Sequence, residues 1–131
     1  MLEARTISVS INRPWRALYD AIWRPEYFPH WASGLSNAGM QQQGDHWLAT
    51  GPEGPIRIRF TGHNGFGVMD HHVDLGGGQE VHVPLRVVAN DAGAEILLTL
   101  FRQPGMSDAG FLADAEWVER DLRKLQSLFP G

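Results

Sequence analysis

Six apolar residues near the carboxy terminus, Phe111, Ala115, Val118, Leu122, Leu125 and Phe129, step by four, three, four, three and four. That spacing lays them along one side of an α-helix of about five turns, running from Ser107 to Phe129. Ser107 followed by Asp108 predicts the N-cap region, with Asp108 and Asp114 toward the positive end of the helix dipole and Arg123 and Lys124 toward the other end. A stripe of this length has to be buried against an apolar surface of similar extent, so the rest of the chain must supply one.

The supply lies upstream, where the apolar period changes from helical to two. In "EARTISVSI", Ile7, Val9 and Ile11 share one side and Thr6, Ser8 and Ser10 the other, which predicts a half-buried first strand over residues 3 to 11. "NRPWRALYDAIW" follows with Asn12 as N-cap, Pro14 in the first turn, and Trp15, Leu18, Ala21 and Ile22 at helical spacing. "RPEYFPHWASGL" holds Pro25 and Pro29 and admits a second short helix at most, with Tyr27, Phe28, Trp31 and Leu35 as its apolar members.

From residue 37 to about 102, short strands alternate with turn clusters: "SNAGMQQQ", "DHWLATG", "PIRIRFTG", "FGVMDHHVDL", "EVHVPLRVVAN" and "AEILLTLFR". The expectation is a single α+β domain over residues 1–131. It has a curved, seven-stranded antiparallel sheet wrapped around the long carboxy-terminal helix, with two short helices after strand one.

A chain of 131 residues, 43% hydrophobic and 20% charged, has the balance of one ordinary globular domain. The net charge of −4, with eleven scattered basic residues, argues against nucleic acid as the main partner. Without cysteine there is no thiolate nucleophile, disulfide or Cys-based zinc site. "MLEARTISVSINRPWRALYD" reads as neither a signal peptide nor an anchor, and no apolar run reaches membrane-spanning length, so a cytoplasmic protein with no membrane span is expected.

The strand and paired short helices of "ISVSINRPWRALYDAIWRPEYFPHW" and the closing "DLRKLQSLF" resemble the SRPBCC superfamily across nearly the whole chain. That superfamily includes START lipid-transfer domains, aromatic polyketide cyclase/dehydrases and the birch pollen allergen group. "GVMDHHVDL", "VPLRVVAN" and "LTLFRQPGMSDAGFLADAEWVERDL" are similar to a subgroup of small bacterial polyketide cyclase-like members. The resemblance implies the helix-grip fold, with a hydrophobic ligand cavity between the long helix and the concave sheet, closed by the two short helices. It implies no particular catalytic set, because fold analogy raises the case for ligand binding alone.

The one group of chemistry-bearing residues in sequence is Asp70-His71-His72. Strand alternation divides it: Met69, His71, Val73 and Leu75 share a face, and Val68, Asp70, His72 and Asp74 share the other. With Val81, Val83, Leu85, Ile56, Ile58 and Phe60 forming the inner face, His71 points inward, while Asp70 is set to pair with Arg86 or Arg59 outside. A metal site is not expected, because adjacent histidines on a strand diverge and no His pair has the i, i+4 spacing. No nucleophile elbow or phosphate cradle is present either, and no cofactor is expected.

His71 is then either a core histidine satisfied by a backbone carbonyl, a ligand contact, or an acid-base group, with Thr50 and Asn90 the nearest guesses for a polar companion. The expected ligand-binding residues are Trp31, Trp47, Phe60, Met69, His71, Val83, Leu85, Leu98, Phe111 and Trp117. The leading expectation is a binding protein for a small hydrophobic molecule, ring-containing or acyl. The alternatives are a cyclase/dehydrase-like enzyme using His71 for proton transfer and a co-chaperone-like interaction module, and a homodimer is left open.

Overall fold

The computed structural model describes residues 1–34, 40–51 and 54–131. The element order is β1 (Ala4–Ile11), α1 (Trp15–Ile22), a 3₁₀ helix (Pro25–His30), β2 (Gln41–Gln43), β3 (His46–Gly51), β4 (Gly54–Phe60), β5 (His71–Asp74), β6 (Glu80–Val83), β7 (Leu85–Asn90), β8 (Gly93–Phe101) and α2 (Asp108–Ser127). All strand pairing is antiparallel, and none of the described helices is long and apolar enough to cross a membrane.

The strands form two sheets, a three-stranded one in the order β1-β8-β7 and a five-stranded one in the order β2-β3-β4-β5-β6. This corrects the expected single seven-stranded sheet, and the reason is Pro84. The predicted strand "EVHVPLRVVAN" divides there into β6 and β7, because proline brings no N–H to the ladder. The sheets nevertheless meet along that line. The Met69 N–H donates to the Leu85 carbonyl at 2.8 Å, the Val87 N–H donates to the Gly67 carbonyl at 2.9 Å, and Val68 bridges to Arg86. Gly67, at φ +70°, makes this approach possible, since a Cβ there would overlap the Val87 carbonyl oxygen.

Asp70 closes the gap that the interrupted pairing leaves. Its Oδ1 accepts the Leu85 N–H at 2.9 Å, and the Arg86 guanidinium grips both carboxylate oxygens at 2.8 Å each. Pro84 keeps its own carbonyl bonded to the Thr99 N–H at 3.0 Å. One outward side chain on β5's approach therefore stitches the two sheets at their bend.

The apolar rows cross the sheets as the period of two predicts. Val9 pairs with Ile96 and Ile96 with Val87; Ile7 pairs with Leu98 and Leu98 with Leu85. In the other sheet Trp47, Ile58, Val73 and Val81 form one row, and Phe60, His71 and Val83 the next. Helix α2 packs on β1 and β8 with Leu122 and Leu125 fully buried, and Ser107 caps it by accepting the Gly110 N–H at 3.0 Å, as its sequence predicts.

Three smaller expectations change. Helix α1 starts at Trp15 with Pro14 itself in the cap position and no side-chain cap, because Arg13 precedes a proline and stays out of the helix, leaving Asn12 too far out to cap. Tyr19 rather than Ala21 completes its buried side, with the Tyr19 hydroxyl accepting the Asn64 N–H at 2.9 Å. Leu75 is exposed, since β5 ends at Asp74 where Gly76, Gly77 and Gly78 turn the chain at positive φ. The predicted strand "SNAGMQQQ" is described only as Gln41–Gln43, and Leu35 lies outside the described residues.

Arg86 foremost, then the Leu85 N–H, holds the Asp70 carboxyl below the usual carboxylate range against the opposing effect of burial. A pKa lower in the folded chain means that acid favours the unfolded one, so this contribution is complete above about pH 5 and disappears as pH falls below about 4. Asp70→Ala is expected to cost about 1–3 kcal/mol in urea unfolding at pH 7, chiefly by orphaning the Leu85 N–H. The gap to wild type should narrow on acidification as the Arg86 pair is lost, while a protonated Asp70 still accepts the Leu85 N–H, and a gap unchanged down to pH 2 would contradict the assignment.

Candidate functional site

His71 stands at the first position of β5, opposite Phe60 on one side and Val83 on the other, and its side chain is 4% exposed. It is the one polar or charged residue among the described residues that is fully buried. The ring packs edge-on against Phe28 of the 3₁₀ helix, with centroids 4.9 Å apart, and lies 5.8 Å from the Phe60 ring. Its inward direction and its separation from Asp70 are those the alternation predicts.

Burial pushes the His71 pKa down from 6.5 to about 4, against the smaller opposing pull of its bond to Met69 and of the Asp70 charge. The imidazole is therefore neutral near pH 7 and carries one proton on one nitrogen. Nδ1 lies 3.2 Å from the Met69 carbonyl, which can only accept, so the proton sits on Nδ1. Nε2 is left with a lone pair, and among the described residues it makes no hydrogen bond. The histidine is thus anchored at one nitrogen, as a core histidine would be, and its other nitrogen is bonded to none of the described residues.

Of the ten residues expected to bind ligand, Trp31, Met69, Leu85 and Leu98 join one buried cluster, with Phe60 and Val83 packed against it. Trp47 is half-buried on the row next to His71. Phe111 is buried outside that cluster, beneath the Arg102 guanidinium at 6.0 Å. Trp117 lies 40% exposed, with Arg120 at 5.8 Å over its ring, because it is off the α2 stripe by nearly half a turn from its buried neighbours. Thr50 and Asn90 are both exposed, and Asn90 bonds Glu95 at 3.1 Å, so neither accompanies His71.

The residue missing from the expected set is Phe28, the nearest ring to His71. Phe28 and Trp31 are three apart, which in a 3₁₀ helix places them on the same side, and their rings touch at 4.7 Å. Pro25 and Pro29 limit this stretch to a short helix at most, and nothing in its sequence says which ring faces the sheet. The expected cavity also differs from what is found. The principal grooves among the described residues lie at the surface, and His71 lines none of them.

On the outer face Asp70 takes Arg86, while Arg59, the other expected partner, pairs with Glu80. His72 and His82, opposite each other in the register, stack at 4.7 Å and 10°. Among the described residues no three His, Asp or Glu side chains converge as a metal site.

Neither a family model nor a curated protein sequence matches the chain. Solved structures do. A START superfamily protein from Mycobacterium smegmatis superposes with a TM-score of 0.71 at 8% identity, over 96% of each chain. Ara h 8.0201 gives 0.71 at 12% identity over 98% of each chain. The chain shares the α+β helix-grip fold of these structures. The di-domain ARO/CYC BexL superposes with a TM-score of 0.69 at 12% identity over 96% of this chain and 46% of its own, so this chain spans about half the length of that protein.

Because the folded His71 has the lower pKa, the unfolded chain takes up its proton first. The stability tied to His71 is complete above about pH 7 and is lost as pH falls from about 6.5 toward about 4, by on the order of 3 kcal/mol. Replacing His71 with Leu should remove this portion of the pH dependence in urea unfolding. Equal pH slopes for wild type and variant would contradict a buried neutral histidine.

Proposed function

We propose that the protein binds a small, mostly apolar, ring-containing molecule between α2 and the concave sheet, with His71 Nε2 accepting a hydrogen bond from the ligand. The observation that carries this reading is the buried neutral imidazole itself, anchored at Nδ1 and bonded at Nε2 to none of the described residues, among aromatic rings. An acceptor nitrogen fixed in such a setting is placed to take a ligand's donor. The fold supports the reading, since the neighbours include a START superfamily protein and an ARO/CYC protein.

In the empty protein the Phe28 ring covers His71, so a ligand enters by displacing that ring and occupying its place against Phe60. Apolar contact supplies the affinity, and the single hydrogen bond fixes the orientation. Binding is favoured over proton-transfer catalysis, because an imidazole with a pKa of about 4 is a weak base, and Asp70, the adjacent carboxylate, faces away into its pair with Arg86.

The test pairs 2-naphthol with 2-methoxynaphthalene, which has the same ring system and no donor, alongside native mass spectrometry of the gently purified protein for a co-purified molecule. We expect 2-naphthol to bind about two- to tenfold more tightly than the ether, and His71→Leu to abolish that difference. No binding of either compound, with no co-purified molecule, would return His71 to a purely structural role.

A further inference from the structure

Between the 3₁₀ helix and the second half of α2 runs a groove of about 370 Å³ whose wall includes His30, Trp31, Ser33, Arg120, Asp121 and Lys124. Trp31 is 3% exposed, and its indole Nε1 is the buried side-chain nitrogen or oxygen that lacks a hydrogen-bond partner among the described residues. An indole N–H is only a donor, so its missing partner must be an acceptor. Leaving it unmade costs the full desolvation penalty of the group, which native interiors rarely tolerate without a reason.

The surroundings say what kind of acceptor fits. Arg120 and Lys124, one helical turn apart on α2, bring two permanent cations to the same wall. The one carboxylate there, Asp121, is already engaged by the Ser33 hydroxyl at 2.5 Å and the Ser33 N–H at 3.2 Å. An anionic acceptor meets a net positive wall and an unused donor together. Trp31 is also in ring contact with Phe28, and Phe28 with His71, so the groove and the proposed ligand site are separated by one aromatic side chain.

We infer that this groove receives a carboxylate carried by the ligand, which accepts the Trp31 N–H and is held by Arg120 and Lys124. The inference rests on the binding reading above and narrows its ligand to an aromatic or acyl carboxylic acid with a hydrogen-bond donor at its far end. A carboxylate suits the wall because its two coplanar oxygens serve the indole N–H and a cation at once. An acidic protein surface could reach the exposed Arg120 and Lys124 but not a donor closed off from solvent, whereas a small ligand that displaces Phe28 takes the place of a ring in contact with Trp31.

The probe is 6-hydroxy-2-naphthoate, compared with its methyl ester, which keeps the ring and hydroxyl and removes the charge. We expect the acid to bind roughly tenfold more tightly than the ester at low salt, and the advantage to shrink as salt is raised. The pair Arg120→Ala with Lys124→Ala should remove most of that advantage while leaving the ester's affinity in place, and Trp31→Phe should weaken the acid more than the ester, whose neutral carbonyl is the poorer acceptor. A merely structural loss would weaken acid and ester alike. If the ester binds and the acid binds no better, or if the advantage survives in both variants, the carboxylate site is overturned while the binding reading stands. If neither compound nor 2-naphthol binds, both readings fall together.

Discussion

The bend at Pro84, closed by Asp70, is the constraint on which the rest of the molecule depends. Without a proline N–H the antiparallel ladder is interrupted, and the two sheets would be free to separate at that line. Asp70 prevents this by taking the Leu85 N–H and both arms of the Arg86 fork, while Gly67 lets the backbones of the two sheets meet. The bent surface that results is lined by Val9, Ile96, Val87, Leu98, Leu85, Ile58 and Phe60, and its apolar rows continue from one sheet to the next. The stripe of α2 packs on the β1 and β8 part of that surface.

His71 owes its position to the same residue pair. Adjacent strand residues face opposite sides, so anchoring Asp70 outward on Arg86 fixes the following imidazole inward. Once there, the ring loses its charge to burial and its proton distribution to the Met69 carbonyl. What remains is an acceptor nitrogen bonded to none of the described residues, in an aromatic setting formed by Phe28 and Phe60. Across Phe28 lies the opposite chemistry, the bare donor of Trp31 beside two cations. The interior thus presents an acceptor at one end and a donor at the other, with apolar rings between them.

Much of this was legible in the sequence because it rests on period alone. The step of three and four from Phe111 to Phe129 specifies α2, and the alternation through "VMDHHVDL" separates His71 from Asp70 and pairs the latter with Arg86. Other features depend on distance in space and left no local signal. Pro84 lies inside a run that otherwise reads as one strand, and whether a proline ends a strand or merely marks an edge is decided by its neighbours' hydrogen bonds. Phe28 and Trp31 are visible as aromatic residues, but which ring covers His71 and which keeps an orphan N–H depends on how the 3₁₀ helix docks. Phe111 belongs to the stripe and Trp117 lies nearly half a turn off it, so the spacing itself points to Trp117's exposure, whereas the closure of Phe111 by Arg102 is a contact in space.

The claim at the centre of this account is that His71 offers an unprotonated Nε2 to a ligand, and ¹⁵N NMR of its ring nitrogens at neutral pH tests it most directly. In the free protein the account predicts a proton on Nδ1 and none on Nε2. On addition of 2-naphthol the Nε2 resonance should move as it accepts a hydrogen bond, while Nδ1 keeps its bond to Met69. An imidazole protonated on Nε2, or an Nε2 resonance unmoved at saturating 2-naphthol, would contradict it.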